Sequence, residues 1–170
     1  MKIFLIGFMG CGKTTMGKKL AAKLDCPFFD LDHQIEAEMG QTIATYFTEH
    51  GEAAFRQLEN KKIKAFSYPE HAVIATGGGT PCYFDNIDWM NENGLTIFIS
   101  MPAQALAKRL EKGKAKRPLL HGLDTEGLIS FIEQKLNDRN PFYRQAKLIV
   151  SGIGLNAETL KEQINAQQLL

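Results

Sequence analysis

The sequence predicts an α/β protein: a parallel sheet with helices on both faces. Three observations lead there. Five short runs, residues 3–6, 27–29, 72–75, 95–99 and 148–150, are nearly continuous in apolar residues, as strands buried on both faces are. Between them apolar residues recur four apart, as in Met16, Leu20 and Leu24, in Leu128, Ile132 and Leu136, and in Leu160 and Ile164; that is the spacing of one helix face. A glycine-rich segment joins the first run to the first helical stretch. Strands that alternate with helices make βαβ units, whose crossovers are right-handed.

Taken in order, the first strand covers residues 3–6 and the first helix runs through Leu24. Residues 27–32, Pro-Phe-Phe-Asp-Leu-Asp, read as a second strand ending in two acids, with a helix beginning near Gln34. Ile43 with Phe47, then Phe55 with Leu58, predict two helices broken at Gly51. The basic segment from about residue 112 to 122, which contains Gly and Pro, reads as a mobile loop. The chain shows no repeat or interdomain linker, and 170 residues fit one domain, 1–170.

Composition excludes several classes. A net charge of +1 gives no bulk attraction to nucleic acid or to a membrane surface. Cys11, Cys26 and Cys82 have neither close pairing nor metal-ligand spacing, which suits free thiols in a reducing interior. The apolar run at the N-terminus is too short for a signal sequence or a membrane span. The expectation is a cytoplasmic protein, and with no obvious extra apolar face, a monomer.

The most specific signal is Gly7-Phe8-Met9-Gly10-Cys11-Gly12-Lys13-Thr14, which satisfies G-x-x-x-x-G-K-[ST] between a strand and a helix. Glycines let the backbone curl so that its N–H groups face phosphate oxygens, and the helix N-terminus adds favourable partial charge. Lys13 would bridge the β- and γ-phosphates and the Thr14 hydroxyl would ligate Mg²⁺. A dinucleotide-binding G-x-G-x-x-G does not fit, because Thr15 stands where the third glycine belongs. Asp30 and Asp32, at the carboxyl end of a strand, face the crevice where doubly wound sheets bind ligands. One can support Mg²⁺ and the other accept a hydroxyl proton; the plain alternative is a solvated turn with a helix N-cap.

Together with Phe55-Arg56-Gln57-Leu58-Glu59, Gly77-Gly78-Gly79, Arg117-Pro118-Leu119-Leu120 and Arg139-Asn140-Pro141-Phe142-Tyr143, these segments resemble the shikimate kinase family over nearly the whole chain. The resemblance implies a P-loop kinase fold, a five-stranded parallel sheet in the order 2-3-1-4-5, and a mobile lid at about 111–122. It implies transfer of the γ-phosphoryl of ATP to the 3-hydroxyl of shikimate, on the route to chorismate and the aromatic amino acids. ATP would be held by Gly10, Cys11, Gly12, Lys13, Thr14 and Thr15, with Arg109 stacking on adenine and Arg117 closing from the lid. Shikimate would be held by Asp32, Arg56, Gly77, Gly78, Gly79 and Arg139. Asp32 is similar to the family's base, and Lys13 and Arg117 join it as catalytic residues. Asp30 is similar to the acid that supports Mg²⁺ through water, beside Thr14.

The residue chemistry is consistent with those roles. A guanidinium offers a carboxylate a planar two-pronged donor, and Arg56 and Arg139 supply two. Glu59, one helical turn past Arg56, can hold it in place. Three glycines let a ligand lie directly on the backbone. The strand before them lacks a Walker-B acid, which leaves metal support to Asp30 and Thr14. Residues 108–117 carry six basic side chains and one acid without interleaved aromatics, which suits a basic lid better than a nucleic-acid patch. The residues alone also fit a kinase of gluconate or a nucleoside monophosphate, or a module that only binds nucleotide.

Overall fold

The computed structural model describes residues 1–112 and 120–167. Five strands, β1 (Lys2–Ile6), β2 (Phe28–Asp30), β3 (Ala72–Ala75), β4 (Leu95–Ser100) and β5 (Leu148–Ser151), form one parallel sheet in the order β2-β3-β1-β4-β5. This is the P-loop kinase order expected from the resemblance. The helices are α1 (Lys13–Lys23), α2 (Leu31–Met39), α3 (Ile43–His50), α4 (Glu52–Ala65), α5 (Asn86–Asn93), α6 (Ala103–Glu111), α7 (Thr125–Tyr143) and α8 (Ala157–Ala166), with a 3₁₀ turn at Thr80–Cys82.

Alternation along β1 splits the core. Ile3 and Leu5 join Val73, Ile97 and Val150 beneath α1, α6, α7 and α8. Phe4 and Ile6 join Ile74 and Phe98 against α2, α4, α5 and Tyr143 at the end of α7. Such two-sided cover lets a strand be apolar throughout, and β1, β3 and β4 follow the expectation. The edge strand β5 departs from it: Leu148 and Val150 are buried while Ile149, on the other face, is 48% exposed.

Helix boundaries correct two readings. The second strand stops at Asp30, and α2 begins at Leu31 rather than near Gln34. Asp30 keeps extended geometry and its side chain accepts from the His33 N–H, an N-cap that starts the helix at once. Asp32 therefore stands in the first turn of a helix and not at a strand end. The break at Gly51 is present, with φ +83° separating α3 from α4. The basic run is also divided. Lys108 and Arg109 belong to α6, which is anchored by Ala103, Leu106, Ala107 and Leu110. Residues 113–119, and with them Arg117, lie outside the described residues. Leu120, placed in the loop by sequence, is fully buried in the core. All three cysteines are free, and no helix among the described residues is long and apolar enough to cross a membrane.

Register sets the site. Asp30 pairs with Ala75, and Ala75 with Leu5. The P-loop, the end of β2 and the glycine turn therefore leave the sheet at one level. Thr76 extends the pairing, with its N–H and its hydroxyl both donating to the Leu5 carbonyl at 3.1 Å.

Candidate active site

The loop after β1 turns through Gly7, Gly10 and Gly12 at φ +145°, +81° and +101°, conformations strained for other residues. Gly12 caps α1 without a side-chain bond, leaving the first-turn N–H groups to a ligand. Leu110 of α6 lies over the loop, where a Cβ on Gly10 would meet it at 2.9 Å; truncating this buried leucine to alanine costs about 2–5 kcal/mol. Arg109 donates to the carbonyls of Cys11 (3.2 Å) and Gly10 (3.4 Å). A cleft of about 360 Å³ is bounded by Gly10, Gly12, Lys13, Thr14, Thr15 and Arg109. A second, of about 240 Å³, shares Gly12, Thr15 and Arg109 and extends past Cys11 to Gly152, Leu155 and Asn156.

Lys13 is buried, and its ammonium donates to the carbonyls of Gly7 (2.7 Å) and Phe8 (3.0 Å), with the Cys11 sulfur at 3.8 Å. Its acceptors are uncharged, so an anion in the cleft would find a desolvated cation beside it. The Thr14 hydroxyl donates to Asp30 Oδ2 at 2.8 Å. Among the described residues no group of three or more His, Cys, Asp or Glu is placed to hold a metal. The hydroxyl and carboxylate oxygens of Thr14 and Asp30 form a small hard-donor pair of the kind that suits Mg²⁺, which keeps several waters and takes phosphate oxygens.

Asp32 lies against Gly77, where a Cβ would sit 2.9 Å from Asp32 Oδ1 and 3.2 Å from Glu59 Oε2. Burial first, then the negative charges of Glu59 and Asp30, push the Asp32 carboxyl up to about 6, against the opposing pull of Lys13. A carboxylate near that value is poised to take a proton at neutral pH.

Arg56 and Glu59, on α4, are both buried and pair at 3.0 Å. Thr80 donates to the other Glu59 oxygen at 2.6 Å, and Asn86 to the Thr80 carbonyl at 2.8 Å. A Cβ on Gly79 would collide with the Arg56 guanidinium, and one on Gly78 would lie 3.4 Å from Arg139 Nη1. Two arginines thus reach one glycine turn, from α4 and from α7. Arg139 stacks over Phe8 at 5.4 Å, and its Nη1 is buried with no hydrogen-bond partner among the described residues. The Tyr143 hydroxyl donates to the Gly78 carbonyl at 2.5 Å.

Every candidate residue from the sequence except Arg117 is therefore found around the carboxyl ends of β1, β2 and β3. Sequence reasoning overlooked the wall formed by Gly152, Leu155 and Asn156, although its place after the last strand is where such sheets bind ligands. It also assigned no part to Tyr143 or Thr80.

A phosphate-binding loop facing a half-buried carboxylate and two convergent arginines defines a P-loop kinase of a small anionic acceptor. Comparison with known proteins narrows the class. The family model for shikimate kinase matches residues 9–168. A shikimate kinase of Bacteroides thetaiotaomicron is 44% identical over 96% of this chain and 90% of its own length. A crystal structure of a shikimate kinase from that organism superposes with a TM-score of 0.89 at 41% identity, covering 97% of this chain and 98% of that one. The shikimate kinase of Acinetobacter baumannii in complex with shikimate superposes with a TM-score of 0.84 at 29% identity, covering 99% and 95%. The chain belongs to the shikimate kinase family and is an ATP-dependent kinase.

Proposed function

We propose that the chain carries the γ-phosphoryl of ATP to the 3-hydroxyl of shikimate through the residues gathered above, giving shikimate 3-phosphate and ADP for the aromatic amino acid route. It acts as one domain, 1–170, with a lid at about 111–122, and as a monomer in the cytoplasm on small molecules, without nucleic acid or membrane as partner. Three free thiols suit that compartment.

The observation that carries the acceptor reading is Arg139 Nη1, a buried donor at the glycine turn with no partner among the described residues. An unsatisfied buried donor is costly, and a carboxylate satisfies it. Arg56 and the Gly77, Gly78 and Gly79 backbone hold the acceptor beside Asp32. Asp32 orients the hydroxyl and takes its proton late, since phosphoryl transfer is largely dissociative and depends on positioning.

The P-loop N–H groups from Gly10 to Thr15 take the phosphates, and Lys13 exchanges its carbonyl acceptors for β- and γ-oxygens. Arg109, bordering both clefts, faces the base, and the wall from Gly152 to Asn156 completes its pocket. Arg117 closes from the lid and excludes water. Mg²⁺ fits the oxygens of Thr14 and, through water, Asp30; when bound it neutralises phosphate charge.

The test is ADP release with Mg-ATP and, in turn, shikimate, gluconate and nucleoside monophosphates. Shikimate alone should stimulate it. Release unchanged by shikimate would refute the reading, and release without any acceptor would favour a nucleotide hydrolase.

A further inference from the structure

The turn that follows the glycines ends at Tyr83, and Tyr83 holds Arg56 in two ways. Its ring lies 4.4 Å from the guanidinium carbon, nearer than Phe55 at 5.4 Å or Phe47 at 6.0 Å. Its hydroxyl donates to Glu52 Oε1 at 3.0 Å, and the same oxygen accepts from Arg56 Nε (3.4 Å) and Nη2 (3.3 Å). The face and one edge of the guanidinium are thus both referred to Tyr83. Glu52 opens α4, immediately after the break at Gly51, and α3 before that break has no fully buried residue. The Tyr83–Glu52 bond therefore ties the start of a thinly anchored helical layer to the loop that carries the glycines.

Counting donors gives the arrangement its meaning. A guanidinium has five N–H groups. Nε uses its single N–H on Glu52, Nη2 uses one there, and Nη1 uses one on Glu59. Among the described residues one N–H is left on Nη1 and one on Nη2, the paired terminal donors that meet a carboxylate side by side. Rotation of the plane would break that pairing while leaving the charge in place.

We propose that Tyr83 is a positioning residue for the acceptor carboxylate: it fixes the plane of Arg56, through its ring and through Glu52, so that both remaining N–H groups face the site. The inference rests on Arg56 being an acceptor ligand. Glu52 is more than half exposed, and an ion pair so placed contributes little stability of its own. An effect on the acceptor would therefore come through orientation.

The test compares Tyr83→Leu, Tyr83→Phe and Arg56→Ala in the full chain, reading KM for shikimate, KM for ATP, kcat and Tm. Losing the ring should raise the shikimate KM about ten-fold, while Tyr83→Phe, which keeps the ring, should raise it only about two- to three-fold. The ATP KM should stay within about two-fold and kcat should change little, since uniform binding is what is lost. A shikimate KM unchanged in Tyr83→Leu but raised in Arg56→Ala overturns the role of Tyr83 alone. An unchanged value in Arg56→Ala overturns the acceptor reading of Arg56 and this proposal with it. Equal rises in both KM values with a lowered Tm would reduce Tyr83 to a structural residue and overturn it too.

Discussion

The Thr14 hydroxyl donates to the Asp30 carboxylate across 2.8 Å, joining the first turn of α1 to the end of β2. The other Asp30 oxygen accepts from the His33 N–H. One carboxylate thus both starts α2 and faces the phosphate loop.

Because asparagine caps helices about as well as aspartate, Asp30→Asn should fold normally. Its missing charge should raise the Mg²⁺ concentration needed for half-maximal velocity about ten-fold or more, as outer-shell changes do. The shikimate KM should hold. A magnesium titration at saturating ATP decides it, and an unshifted midpoint removes Asp30 from metal support.

Asp32 titrates near 6, above its ordinary 3.8. If it is the base, kcat/KM falls as pH drops through about 6. Asp32→Asn should lower turnover by about 10²- to 10⁴-fold while leaving ATP affinity intact. The sign for stability is opposite. A raised carboxyl means the native state binds more protons than the unfolded chain between those two values, so stability from this group declines as pH rises through that window. Asp32→Asn should therefore gain more Tm over the parent at pH 8 than at pH 4, in matched melts. Equal gains at both would contradict the raised value.

Arg139→Ala removes the buried donor at the glycine turn that has no partner among the described residues. Loss of a charge-assisted bond of about 1.5–3 kcal/mol corresponds to roughly a ten- to hundred-fold rise in the shikimate KM. The ATP KM should barely move, and steady-state kinetics with each substrate varied would expose the reverse pattern.

Glu59→Ala leaves Arg56 buried with its close partner gone. Breaking a buried pair costs about 3–5 kcal/mol, so the urea midpoint should fall markedly. A midpoint change equivalent to less than about 1 kcal/mol would show the pair behaving like a surface one.

The donor side was legible in the sequence because a phosphate cradle is local: its glycines, Lys13 and Thr14 act within one turn. The acceptor side was legible only through the resemblance, since Arg56 and Arg139 are 83 positions apart and nothing in their spacing brings them together. Asp32 was placed at a strand end because the competition between sheet pairing and the Asp30 cap is decided by register. The short helix α5 escaped notice: it buries Ile87 and Met90 and packs Trp89 against Phe4, three residues too close together to show a helical period. Tyr83 carries no periodic signal, and its meaning comes only from the ring of contacts around Arg56.

The order of the chain separates the two halves of the proposed site. Apart from Arg139, the groups proposed to hold the acceptor (Asp32, Arg56 and the glycine turn), with Tyr83 behind Arg56, lie in one uninterrupted stretch, residues 32–83, carried by α2, α4, β3 and the loop after it. The groups proposed for the nucleotide come from before and after that stretch. On that assignment the acceptor half is a cassette set into a nucleotide-handling frame, and exchanging the cassette together with the tail of α7 should change what is phosphorylated while leaving the grip on ATP in place.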